Sequence, residues 1–243
     1  METFNDFDSQ GKVPARNTGD IISHAFETYK GVVLYAIVAM ILYMIASFLV
    51  QGLSGFNSQS MYEEIMANPG GNINYFAIPG LTTYYAFSSL FGLLISPLFL
   101  SLIYISHKVN VKEAVSFGDL FYGYKNNLVN ILLYSVITGI ITTIGFALCI
   151  LPGLLILPLF FIGYPILIFE NASATEALSK SFNIAKENYG TFLGVAFLSA
   201  IISIAGIILC GIGIIATAPF YLTAAYSMYI AFTDLPKKIV YNS

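Results

Sequence analysis

Four stretches of this chain, 32–50, 85–105, 128–169 and 192–232, contain no Asp, Glu, Lys or Arg. A helix needs about 20 apolar residues to cross the hydrocarbon core of a bilayer at about 1.5 Å of rise per residue. The first two stretches match one crossing each. The last two would extend roughly 60 Å as single helices, about twice the core thickness, so each must fold back on itself. Turn-forming residues stand near their middles: Leu151-Pro152-Gly153 in one, Gly211-Ile212-Gly213 in the other. Two single crossings and two hairpins predict an all-α polytopic membrane bundle of six transmembrane helices. The runs lack the short alternating segments of a membrane β-barrel. Helices also satisfy every backbone N–H and C=O where lipid offers no partner.

Composition agrees. Hydrophobic residues make up 57% of the chain and charged residues 9%, against about 25% charged in soluble domains. So few charges cannot cover a surface that faces only water. The net charge of −3 has no basic arm behind it, which argues against nucleic acid as a partner. The first thirty residues are polar, and the run after Lys30 is too long for a cleavable leader, so it is expected to persist as the first span.

Orientation follows from the cations. All ten fall in four segments: Lys12, Arg16 and Lys30; Lys108, Lys112 and Lys125; Lys180 and Lys186; Lys237 and Lys238. With six spans these segments share one side. The long opposite loop, 52–84, carries only Glu63 and Glu64. The positive-inside rule predicts both termini in the cytoplasm of a bacterial inner membrane.

The cation-bearing segments share a pattern. Asn17-x-x-Asp20, Ser116-x-x-Asp119 and Ser173-x-x-Glu176 each resemble a capping box. Each opens an amphipathic stretch with 3.6-residue spacing. The first groups Ile22, Phe26 and Tyr29. The second groups Phe117, Leu120, Phe121 and Tyr124. The third groups Ala174, Ala177, Leu178, Phe182 and Ala185. The second helix of each pair holds a proline at depth: Pro97, Pro165 and Pro219. This predicts three cytoplasmic interfacial helices and a pseudo-threefold parallel repeat, with units at about 17–107, 116–169 and 173–233 inside one membrane domain, 17–233. A flexible N-terminus, 1–16, and a cytoplasmic tail, 234–243, flank it.

The segment from Pro165 through Glu170-Asn171-Ala172-Ser173-Ala174-Thr175-Glu176-Ala177-Leu178-Ser179-Lys180-Ser181-Phe182 has a recognisable shape. A proline-containing span ends in an acid and leads into an acid-Ala-Leu-x-x-Ser surface helix. This resembles the multi-pass bacterial membrane domain that precedes some glycerophosphoryl diester phosphodiesterases and also occurs alone. The stretch from Ser116 to Lys125 resembles a second recurring element of that domain. The resemblance implies the same topology and no chemistry of its own.

Candidate chemistry is sparse. His24 and His107 sit at predicted membrane edges without further metal ligands at helical spacing. Cys149 and Cys210 precede the turns of their hairpins and read as small buried thiols, with a disulfide across that face as the alternative. Glu170 reads as a solvated acid beside the next helix cap, or as a proton or cation acceptor. No phosphate loop and no nucleophile–base set is present. The prolines, with Tyr164 and Tyr221 nearby, fit either the lining of a cavity or hinge, or plain packing. The sequence therefore predicts no cofactor, no metal and no enzyme. It predicts a membrane protein supporting envelope or lipid-related processes, with membrane lipids and other membrane proteins as partners. The alternative is a transporter or lipid conduit for uncharged or amphipathic solutes.

Overall fold

The uncharged runs are mostly helical where they are described. The computed structural model describes residues 11–68, 70–71, 73–76, 78–208 and 213–233; most of these are helical, with no strand among them. Six helical stretches are long and apolar enough to cross a membrane: Thr18–Ser54, Leu81–Asn110, Leu128–Leu148, Ile150–Phe169, Tyr189–Ile208 and Ile214–Phe232. Cys210, most of the Gly211-Ile212-Gly213 turn, the tail 234–243 and residues 1–10 lie outside the described residues. The chain divides into two compact units, Met40–Ile95 and the remainder.

Helix α1, Thr18–Ser54, is one continuous helix of 37 residues. The first expected surface helix is therefore not separate from its span. Asn17 caps it, accepting from Asp20 N–H at 2.9 Å and donating to the Asp20 carboxylate at 2.8 Å. The buried face is Ile21, Ala25, Tyr29, Val32, Ala36 and Ala39, a stripe of three- and four-residue steps. This is one position round from the expected face, since Phe26 is exposed.

The unit Met40–Ile95 contains α2, Ser58–Ala67, whose N-cap Asn57 accepts from Gln59 N–H at 2.9 Å. Gly80, at φ 73°, packs so closely on Gly55 that no Cβ fits there.

In the larger unit, α3 (Leu81–Asn110, entering at Ser96) holds Pro97 inside the helix. Ser101 Oγ donates to Pro97 O at 2.8 Å and accepts from Gly123 N–H at 2.9 Å. Gly123 belongs to α4, Tyr122–Lys125, and a Cβ there would overlap Pro97 O. Pro97 is thus a packing contact. The second amphipathic stretch is a 3-10 turn, Phe117–Phe121, followed by the single turn of α4. Lys108 Nζ donates to the Asp119 carboxylate at 2.8 Å, as does Ser116 N–H at 2.8 Å. Burial pushes the Asp119 carboxyl up, but Lys108 and the Ser116 backbone outweigh it and hold the group below its usual range.

Helix α5, Leu128–Leu148, ends at Cys149, whose extended backbone (φ −173°, ψ 153°) makes the reversal. Leu151-Pro152-Gly153 lies just past it, inside α6, Ile150–Ile156. Cys149 is exposed rather than buried. The fourth span is broken. After α6 comes a 3-10 turn, Leu157–Phe160, and then α7, Gly163–Phe169. Pro165 stands third in α7, where a first-turn N–H has no intrahelical partner. It marks a restart and does not kink a continuous helix.

Asn171, at φ 51°, turns the chain into α8, Ala174–Glu187. Asn tolerates this left-handed conformation better than most side chains. Ser173 and Glu176 form a full capping box, and the buried face of α8 is Ala174, Ala177, Ser181 and Ala185. Helix α9, Tyr189–Ala205, runs into a 3-10 turn, Gly206–Ile208, and a Cβ at Gly206 would overlap Thr217 and Gly213. After α10, Ile214–Thr217, Pro219 caps α11, Phe220–Phe232. From Leu222 to Ala231, α11 is buried throughout and forms the centre of this unit.

Candidate binding cavity

Breaking a span frees carbonyls that lipid cannot satisfy. Three hydroxyls meet them in the fourth span. Tyr189 donates to Leu155 O at 2.8 Å, Ser181 to Leu159 O at 2.9 Å, and Tyr134 to Phe160 O at 2.8 Å. Near the sixth span, Tyr29 donates to Ala216 O at 2.6 Å and Thr217 to Ser203 O at 2.8 Å. The breaks are thus held by side chains on neighbouring helices.

Beside the break in the fourth span lies a cavity of about 680 Å³. Pockets for small molecules commonly enclose about 300–1,000 Å³. Each wall repeats at three or four residues, so each helix offers one face. Helix α5 contributes Ser135, Thr138, Gly139, Thr142 and Phe146. The broken span contributes Leu157, Phe160 and Tyr164. Helix α9 gives Ala196, Ser199, Ala200 and Ser203, and α11 gives Tyr221, Leu222 and Ala225. None of the lining residues is charged. Leu157, Ile204 and Tyr221 are also exposed on the outer flank, so the cavity reaches the surface.

Most of its hydroxyls are engaged. Ser135 donates to Ile131 O at 2.9 Å and lies 3.2 Å from the Tyr164 hydroxyl. Thr138 donates to Tyr134 O at 2.7 Å and Ser199 to Ala196 O at 3.0 Å. Ser203 Oγ is set apart by its depth: it is buried and has no partner among the described residues.

Of the residues singled out in the sequence, the cavity brings together Tyr164 and Tyr221. Pro165 and Pro219 are buried beside it without lining it, and Pro97 packs on Gly123 elsewhere. Glu170 lies outside, accepting from Lys180 at 2.6 Å and from the Tyr229 hydroxyl at 3.1 Å. The sequence does not single out the serines, threonines and alanines of α5 and α9, because small residues at this spacing are also common in helix packing in membranes.

The histidines belong to a second polar cluster. His24 Nδ1 lies 2.9 Å from Ser227 Oγ, and His24 Nε2 lies 3.2 Å from Asn110 Oδ1. Asn110 Nδ2 donates to the Tyr226 hydroxyl at 2.9 Å, and His107 Nδ1 lies 3.2 Å from that hydroxyl. His107 is buried. These rings tie α1 and α3 to α11. No group of three or more His, Cys, Asp or Glu fit to hold a metal occurs among the described residues.

Comparison with models of known families, with curated proteins and with solved structures finds no match for this chain.

Proposed function

We propose that this is a non-enzymatic, multi-pass membrane protein that binds an uncharged amphipathic molecule drawn from the bilayer, in support of lipid or envelope processes. The observation that carries this reading is the uncharged cavity beside the broken fourth span. Irregular backbone at membrane depth is tolerated where it is buried or lines a cavity, and such broken helices build binding sites in many membrane proteins. The lining offers hydroxyls and apolar groups but no His, Cys, Asp or Glu to act as base, nucleophile or ligand. A charged ligand would be left unpaired there.

The grouping of all ten cations supports an inner-membrane orientation with both termini in the cytoplasm. The three cap-led stretches, with exposed Phe26, Phe121 and Phe182, support an interfacial collar. Their recurrence, with the prolines, supports a parallel threefold repeat, in keeping with the resemblance to the phosphodiesterase-associated membrane domain.

Gly139→Leu tests the site. A Cβ at Gly139 meets nothing within 4 Å, so the larger side chain enters free space at the cavity wall and improves helix propensity by about 1 kcal/mol. In a thermal-unfolding panel of uncharged amphiphiles, at least one should stabilise the wild type and lose that effect in Gly139→Leu. If none shifts the wild type, the binding role is withdrawn and only the supporting role stands. The breaks in the fourth and sixth spans favour a second reading, a conduit. That reading requires faster movement of the bound amphiphile across reconstituted vesicles.

A further inference from the structure

Ser203 separates one ligand class from the rest. The residue is 9% exposed, lines the cavity, and its Oγ has no partner among the described residues. A serine in a helix ordinarily bonds back to its own preceding turn, as Ser135 and Ser199 do in this same cavity. An unpaired buried hydroxyl is unfavourable, and more so where lipid excludes water. It can be satisfied by a ligand atom that both accepts and donates.

The cavity has direction. From Ser135 to Phe146 on α5 the rise is about 16 Å, close to half of the roughly 30 Å core and so to the chain depth of one leaflet. Tyr164 and Ser135 satisfy each other at one end. Ser203 stands at the far end of the α9 wall, in the last turn of that helix. The rest of the lining includes the apolar Gly139, Ala196, Ala200, Leu222 and Ala225.

We propose that the cavity takes a neutral single-chain lipid, its hydroxyl hydrogen-bonded to Ser203 Oγ and its chain running toward Tyr164. This rests on the cavity being a binding site. An ionised head is excluded because no lining residue carries a charge to meet it.

The probes are 1-tetradecanol and tetradecane, added at matched mole fraction to the detergent-solubilised full chain and read by the shift in thermal unfolding. Wild type should bind the alcohol about 3–10-fold more tightly, the factor one neutral hydrogen bond supplies. Ser203→Ala should abolish that difference and leave the response to tetradecane unchanged. It removes an unpartnered group, so its unliganded fold should be at least as stable as wild type. Ser203→Thr, which keeps the hydroxyl, should restore the preference. Equal binding of the two probes by wild type, as when a water already serves Ser203, would overturn the proposal and leave the cavity reading standing. So would a preference that persists in Ser203→Ala. Failure of both probes to shift wild type, or equal shifts in Gly139→Leu, would overturn the cavity reading itself.

Discussion

Gly163 is where the architecture of the broken span is most easily tested. It is the first residue of α7, and it faces Tyr134 on α5. A Cβ there would fall within the Tyr134 hydroxyl and ring. Tyr134 is fully buried and its hydroxyl donates to Phe160 O at 2.8 Å, so it has little room to retreat. Gly163→Ala therefore forces the ring aside. Overpacking of this kind costs about 1–3 kcal/mol. Leaving Phe160 O unpaired costs about 1–3 kcal/mol more. The gain in helix propensity offsets about 1 kcal/mol. The expected net loss is about 3 kcal/mol, which a reversible unfolding titration in mixed micelles resolves. The same substitution in a Tyr134→Ala background meets no ring and should be neutral or slightly stabilising. The double-mutant cycle should thus show coupling of about 3–4 kcal/mol. A Gly163→Ala protein within about 0.5 kcal/mol of wild type, or additivity of the two changes, would refute the idea that Tyr134 seats the break.

Single cysteines at Ser58 and Ser179 should label from opposite sides of intact cells; labelling of both from outside would sink the six-span topology. Asp119→Asn removes the carboxylate that Lys108 and the Ser116 backbone share and should cost about 2 kcal/mol in the same unfolding titration. The Asp119 carboxyl is held below its ordinary value of 3.8. Its contribution is therefore present above that pH and lost as pH falls further through the folded value. Asp119→Asn should flatten the acid limb of a stability–pH profile, and an unchanged limb would refute this. Ser173→Ala deletes the cap of α8 and should cost about 1 kcal/mol; no loss of stability would count against the box. Pro165→Ala should change stability by less than about 1 kcal/mol, because the position lies in a first turn. A gain larger than that would restore the kinked-helix picture.

The spans were legible because a bilayer asks one question of each segment, length against charge, and the uncharged runs answer it without reference to their neighbours. The breaks within them were not. Pro165 and Pro219 signalled irregularity, but whether a proline kinks a helix or restarts one depends on who receives the freed carbonyl. Here the receivers are Tyr134, Ser181 and Tyr189 for the fourth span. Ser181 and Tyr189 lie more than twenty residues further along the chain than the carbonyls they meet, and no local pattern links them. The same holds for the histidines. His24 and His107 are isolated in sequence, and only packing against α11 brings both to the neighbourhood of Tyr226, Asn110 and Ser227. Tyr164 and Tyr221 could be singled out by their size and position beside prolines, whereas Ser203 could not. A lone serine on an apolar span reads as close packing, and its significance lies in a bond it fails to make. Missing partners are a property of the folded surroundings, and that is why the part of the cavity that distinguishes an alcohol from an alkane had to come from the structure.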